Sequence, residues 1–150
     1  KIGADRIANT VAVINSKYKN CIIIDFGTAT TFDLIKNNSY EGGIIFPGIK
    51  ISLDSLVKNA ALLKKTKIFK ISKIVTNNTK QSIQSGFYWG YLSLINGIIQ
   101  KIIKEKKIKP KIIMTGGLAK IFKDKIILKP ILNENLTLEG LGIIGKAINE

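Results

Sequence analysis

Apolar and polar positions follow two different periods along this chain. Between residues 20 and 46 the spacing is that of strands. Asn20-Cys21-Ile22-Ile23-Ile24 is a short apolar, β-branched run of the kind that makes a buried strand. Residues 29–36 continue in the same manner, and Lys36-Asn37-Asn38-Ser39 reads as an outer turn. Tyr40 to Phe46 is a third strand containing Gly42-Gly43, closed by Pro47-Gly48. Three antiparallel strands in succession are therefore expected, over 20–26, 29–36 and 40–46. Elsewhere the period is helical. Ile7, Val11 and Ile14 share one face of a first helix, and Ile51, Leu53, Leu56, Val57, Ala60 and Leu63 form a stripe on a second, over 49–63. The basic stretch 64–75 is ambiguous, with a short strand expected near Ile68 to Val75. Asn77-Asn78-Thr79 is a turn and cap signal that opens the longest helical pattern, reaching about Lys107. Lys111 to Thr115 is a further strand, Gly116-Gly117 a sharp strand-to-helix turn, and Leu136 to Asn149 a closing helix. The fold class is α/β.

Within the long helix, Gly86, Gly90 and Gly97 lie at helix-face spacings, and Phe87, Tyr88, Trp89 and Tyr91 cluster beside them. Glycines there weaken a helix, so they are read as places of close backbone packing, and the aromatics as core or subunit interface. A length of 150 residues, 45% hydrophobic with three prolines, suits one folded domain or one lobe of a two-lobed protein. The chain opens on Lys1 with a dense motif in its first ten residues, so it is expected to be part of a longer protein. No basic segment followed by an apolar core and no long apolar run occurs in these residues, so neither export nor membrane spanning is expected. Cys21, the single cysteine, sits in an apolar run as a small buried hydrophobe, and a reducing cytoplasm fits it.

A formal charge of +14 raises nucleic acid as a partner. The excess is nearly all lysine, scattered from Lys17 to Lys146, whereas base reading favours arginine and stacking aromatics. Nucleic-acid binding is thus disfavoured. The absence of histidine removes the commonest general base and any Ser-His-Asp arrangement, leaving acid–base work to five aspartates and five glutamates.

The chemistry concentrates in Asp25-Phe26-Gly27-Thr28-Ala29-Thr30-Thr31-Phe32-Asp33. A carboxylate at the end of a buried strand, a glycine and a cluster of hydroxyls can serve a cation and phosphoryl oxygens. An ordinary hairpin with threonines chosen for strand propensity is the plainer reading. Asp5 stands at or near the start of the first helix, where an N-cap is the structural alternative. Arg6 is the lone arginine among 24 basic residues, which suggests a place needing a planar bidentate fork, as for a carboxylate ligand. Thr115-Gly116-Gly117 before a helix offers free N–H groups to an anion or nucleotide, with a plain turn as the alternative. Pro47-Gly48 is either a ligand-facing loop or a strand-to-helix turn. Gly140 to Gly145 spells G-x-G-x-x-G, but after a helix start rather than a strand, and Gly43 to Gly48 has P-loop spacing without the Lys-Ser/Thr; both are rejected.

Taken in order, Gly3-Ala-Asp-Arg-Ile-Ala-Asn9, Asp25 to Asp33, Gly42-Gly-Ile-Ile-Phe-Pro-Gly48, Asn78-Thr79, Thr115-Gly-Gly117 and Leu136-Thr-Leu-Glu-Gly-Leu141 resemble the motifs of type III pantothenate kinases. The resemblance runs from Gly3 nearly to the end. It implies an actin-like, ribonuclease H-like lobe of the sugar-kinase superfold, with residues 1–150 as a single carboxy-terminal lobe. The family's first phosphate loop, Asp-x-Gly-Asn-Thr, is absent from this sequence, and with it the amino-terminal lobe that would complete the ATP cradle.

What the resemblance implies for individual residues is specific. Gly3, Ala4, Asp5 and Arg6 match the pantothenate-contacting segment, with Asp5 as proposed general base, and Thr79 matches a further substrate contact. Asp25 matches the ligand of an activating monovalent cation, K⁺ or NH₄⁺. Gly27 and Thr28 match ATP contacts, and Gly116 and Gly117 an adenosine-side turn. Mg²⁺ would arrive with ATP. The segment before Thr79, Thr76-Asn77-Asn78, lacks a glycine usual in the family. A homodimer with sites near its interface is implied, the 86–97 segment being the candidate contact. The rival function is a non-catalytic regulatory or nucleic-acid-binding module on the same fold.

Overall fold

The computed structural model describes residues 2–60 and 66–149. Helix α1 (Ala4–Ile14) precedes a meander of β1 (Cys21–Phe26), β2 (Ala29–Lys36) and β3 (Ser39–Pro47). Then come α2 (Ile49–Asn59), the long α3 (Thr79–Lys106), β4 (Lys111–Thr115), a four-residue α4 (Ala119–Phe122), β5 (Ile131–Leu132) and α5 (Leu136–Ile148). The five strands form one sheet in the order β3-β2-β1-β4-β5. The meander is antiparallel, while β4 runs parallel to β1 and β5 parallel to β4. All three expected antiparallel strands are present, and α3 covers the long helical pattern unbroken by its glycines.

Strand alternation divides the sheet into two faces. Ile22, Ile24, Phe26, Phe32 and Leu34 point toward α3 and bury Tyr88, Leu92, Ile95 and Ile99 of that helix. Cys21, Ile23, Ile35 and Ile113 point the other way and meet Ala12 and Val13 of α1 and Leu136 of α5. At roughly 25 cal/mol per Å² of apolar surface, burial on both faces is the main force holding the layers together.

Several sequence expectations are corrected. The buried face of α1 is Ala8, Asn9, Ala12 and Val13, while Ile7 is 44% exposed. Small residues win that face because α5 lies directly on it: a Cβ on Gly140 would run into the Ala8 carbonyl. In α2 only Ile49 and Leu53 are buried, and Ile51 and Leu56 face outward; Leu63, at the end of the expected stripe, lies outside the described residues, as do positions 64 and 65 of the basic stretch. No strand forms over 68–75, whose backbone carbonyls instead accept from α3, with Ser85 Oγ bonded to the carbonyl of Lys73 at 3.2 Å. β5 and α4 were not anticipated, being too short to show a period. Gly86, Gly90 and Gly97 meet nothing within 4 Å and pack against no backbone of this chain among the described residues. Gly140 to Gly145 lies inside α5, as its rejection as a dinucleotide motif requires.

Candidate active site

The register of the sheet assembles the site. Asp25 of β1 is paired with Thr31 of β2, and Thr31 with Ile45 of β3, so the three side chains form a row on the α1 face. Two pairs inward, Ile23, Asp33 and Gly43 form the next row on the same face. Helix α1 starts above these rows. Gly3 is its N-cap residue and makes no side-chain cap bond, and Asp5 stands in the first turn. Asp5 is therefore not the cap, and among the described residues it makes no hydrogen bond or ion pair.

A cleft of about 370 Å³ lies where the helix start meets the strand ends, lined by Gly3, Ala4, Asp5, Arg6, Asp25, Gly27, Thr28, Ala29, Thr31 and Ile45. Asp5 and Asp25 thus share one pocket. The N–H groups of the first turn of α1 have no intrahelical acceptor and favour an anion. Burial pushes the Asp25 carboxyl above the usual carboxylate range, Asn9 opposes this by donating a hydrogen bond, and the negative charges of Asp5 and Asp33 reinforce it. Asn9 Nδ2 lies 3.0 Å from Asp25 Oδ2. Thr31 lines the same cleft, and its buried Oγ1 has no hydrogen-bond partner among the described residues. A carboxylate and an orphaned hydroxyl on paired strand positions make a donor set of hard oxygens, which fits a hard cation.

Arg6 is closed onto Asp33. Its Nη2 lies 2.6 Å and its Nε 3.0 Å from Asp33 Oδ1, and Nη2 also donates to Tyr40 Oη at 2.8 Å. Tyr40 Oη in turn donates to Asp33 Oδ1 at 3.0 Å. The hydrogen bond to Asp33 raises the Arg6 pKa further, and burial, followed by the Asp33 bond, raises that of Tyr40. Gly43 makes room for this pair: a Cβ there would meet both Arg6 Nη2 and Asp33 Oδ1. The bidentate chemistry expected of Arg6 is present, directed at a carboxylate of its own chain.

The Gly27-Thr28 turn is braced from two sides. Gly27 N–H donates to Ala29 O at 3.1 Å and Gly48 N–H to Thr28 O at 3.1 Å, and a Cβ on Gly48 would collide with the Thr28 carbonyl. Pro47-Gly48 is thus a strand-to-helix turn wedged beneath the candidate phosphate loop. On the other side, Gly116 at φ 89° would place a Cβ 2.7 Å from the Phe26 backbone. Parallel β1 and β4 therefore end side by side, where ligands of open α/β sheets bind.

The family model for type III pantothenate kinase matches residues 1–101, which carry α1, the three-stranded meander and most of α3. The chain belongs to the type III pantothenate kinase family. A type III pantothenate kinase from Pelagibacter ubique is 46% identical over 141 residues, covering 94% of this chain and 56% of the relative. The chain spans about 56% of that relative's length. A solved structure from Campylobacter jejuni, described as a Baf family transcriptional activator, superposes with TM-score 0.69 at 24% identity, over 99% of this chain and 66% of that one. MreB 5 of Spiroplasma citri, solved with AMPPNP, superposes with TM-score 0.62 at 14% identity, over 97% and 59%. The fold is actin-like.

Of the residues that the resemblance to pantothenate kinases singled out, Gly3, Ala4, Asp5, Arg6, Asp25, Gly27 and Thr28 come together in the acidic cleft. Gly116 supports the loop, and Gly117 follows it without lining that cleft. Thr79 does not join them. It lines a separate apolar groove of about 610 Å³ with Phe46, Leu56, Ile83, Phe87 and Tyr91. Asn9, Asp33, Tyr40 and Thr137 had no assigned role. The signal for Asp33 was available: it shares strand parity with Thr31, so a second carboxylate was due on the α1 face and needed a cation.

Proposed function

We propose that this chain is the catalytic-base lobe of an enzyme that phosphorylates pantothenate with ATP, giving 4′-phosphopantothenate for coenzyme A synthesis. The observation that carries the reading is the shared cleft of Asp5 and Asp25 at the start of α1. Asp5, exposed and without a partner among the described residues, is placed to accept the proton of a primary alcohol as its oxygen bonds the γ-phosphorus and the bond to the ADP oxygen breaks. Gly3, Ala4, Asp5 and Arg6 hold the pantothenate end. Thr28 and the Gly27 backbone bind phosphate oxygens, with Gly116 and Gly117 on the adenosine side. Asp25 and Thr31 would hold a monovalent cation, K⁺ or NH₄⁺, which supplies positive charge to phosphoryl oxygens; Mg²⁺ accompanies ATP. Most of the rate then comes from positioning and electrostatics.

Thr79 faces the apolar groove on the α3 side of the sheet, so a substrate role for it calls for a second copy of the chain. We infer a homodimer joined along the Gly86–Gly97 side of α3, in a cytoplasmic enzyme. Among the described residues no helix is long and apolar enough to cross a membrane.

The test is pantothenate-dependent ADP release by the complete polypeptide that contains this lobe, in K⁺ and in Na⁺. Turnover that needs pantothenate and rises in K⁺ is expected. ATP hydrolysis indifferent to pantothenate, or salt-steep DNA binding without turnover, would replace this reading with the regulatory one.

A further inference from the structure

The Leu136-Thr-Leu-Glu-Gly-Leu141 motif does not line the cleft, yet it is tied to Asp25 through one buried side chain. Asn9 is fully buried. Its Nδ2 donates to Asp25 Oδ2 at 3.0 Å, and its Oδ1 accepts from Thr137 Oγ1 at 2.7 Å. The direction of this chain of bonds is forced. An ionised carboxylate accepts only, so the amide must turn its NH₂ toward Asp25, its oxygen must face Thr137, and the threonine hydroxyl must donate.

The rest of the motif holds Thr137 in place. Gly140 lets α5 lie against the Ala8 carbonyl one residue before Asn9. Glu139 accepts from Asn133 Nδ2 at 2.9 Å, and Asn133 Oδ1 accepts the Asn135 N–H at 3.0 Å, which fixes the start of α5. Asn133 N–H is itself bonded to Met114 O at 2.9 Å, so the helix start is pinned to the end of β4. A fully buried asparagine among Ala8, Thr10, Ala12 and Val13 has a desolvation cost that, among the described residues, these two side-chain bonds offset.

We propose that Asn9 and Thr137 are positioning residues: together they hold one oxygen of Asp25, leaving the other to the cleft, and so make α5 a working part of the site. The cation arm of the test rests on the proposed function; the exchange arm does not. Thr137→Val keeps shape and removes the donor, whereas Thr137→Ser keeps the donor.

K⁺ is titrated into the ¹⁵N-labelled complete polypeptide that contains this lobe at constant ionic strength, and shifts of the Gly27 and Thr28 amides are followed with solvent exchange of the Asn9 side-chain protons. Weakening of K⁺ by about fivefold in Thr137→Val, with Thr137→Ser within about twofold of the parent, is expected for loss of one supporting hydrogen bond. Equal K⁺ affinity in the parent and Thr137→Val, or equal weakening in Thr137→Val and Thr137→Ser, overturns the proposal. If the parent itself ignores K⁺, the cation assignment fails and exchange decides: Asn9 protons protected in the parent and Thr137→Ser but not in Thr137→Val sustain the positioning role, and equal protection in all three ends it.

Discussion

Arg6 and Asp33 form a forked ion pair between the first turn of α1 and the centre of β2, with Nη2 2.6 Å from Oδ1. Asp33 is 1% exposed and Arg6 16%. Such a pair contributes little beyond what two apolar residues would, but removing one partner strands a buried charge. Arg6→Ala should therefore lower the unfolding free energy by about 3 kcal/mol, measured in urea. Arg6→Lys keeps the charge without the fork, and should recover only part of the loss. A loss below about 1 kcal/mol for Arg6→Ala would mean that the pair is solvated and that Asp33 finds its compensation elsewhere.

Stability should fall as the solution becomes strongly alkaline, and Cys21 is the main cause. Burial pushes its thiol from 9.0 up to about 11. The folded chain prefers the neutral thiol, so this contribution is complete below pH 9.0 and is lost as pH rises toward 11. The slope from this one group approaches about 1.4 kcal/mol per pH unit. Tyr40 acts in the same direction above 10.0, because its pKa is also raised. Asp25 has the same sign at the acid end: its carboxyl is raised above 3.8, so ionising it costs stability as pH climbs through that region. Urea unfolding of the parent and Cys21→Ala between pH 8.5 and 10.5 isolates the thiol, the variant showing the flatter curve. Parallel curves would refute the assignment.

Gly48 should matter for nucleotide more than for folding. Its φ of −66° is open to any residue, so the requirement is space alone. A methyl group there pushes on the Thr28 carbonyl and moves the turn that faces the cleft. Gly48→Ala is expected to cost about 1–3 kcal/mol of stability, and in the complete enzyme to raise the KM for ATP about tenfold, a displacement of the kind that weakens positioning. Unchanged ATP kinetics would remove the turn from the phosphate site.

Much of this fold was legible because its strands alternate cleanly and its turns carry Asn-Asn and Pro-Gly. The meander from Cys21 to Pro47 and the span of α3 follow from those signals. The face of the first helix shared by Ile7, Val11 and Ile14 is only partly buried, with Ile14 against the core and Ile7 44% exposed, whereas apolar periodicity assumes that bulk marks the buried face. Here the buried face is small and polar, with Ala8 and Asn9, since Gly140 of a distant helix and Asp25 of a strand both need access to it. The stripe on α2 was overextended for a related reason: Leu56 lines the apolar groove and is 40% exposed. Asp5 and Asp25 stood out in the sequence because carboxylates at a helix start and a strand end have few structural duties, and the fold brings both to one cleft. Thr137 was not. It acts through Asn9, 128 positions away in sequence, and only tertiary structure joins them.

In the proposed reaction Asp5 takes the proton while Asp25 serves the cation in the same cleft. Steady-state kinetics of Asp5→Asn in the complete enzyme separate the two roles. In this variant kcat should fall at least about 100-fold, the usual contribution of a general base, while the KM for pantothenate stays within about threefold and K⁺ still activates. An Asp5→Asn enzyme with near-parental kcat would contradict the proton-accepting role of Asp5.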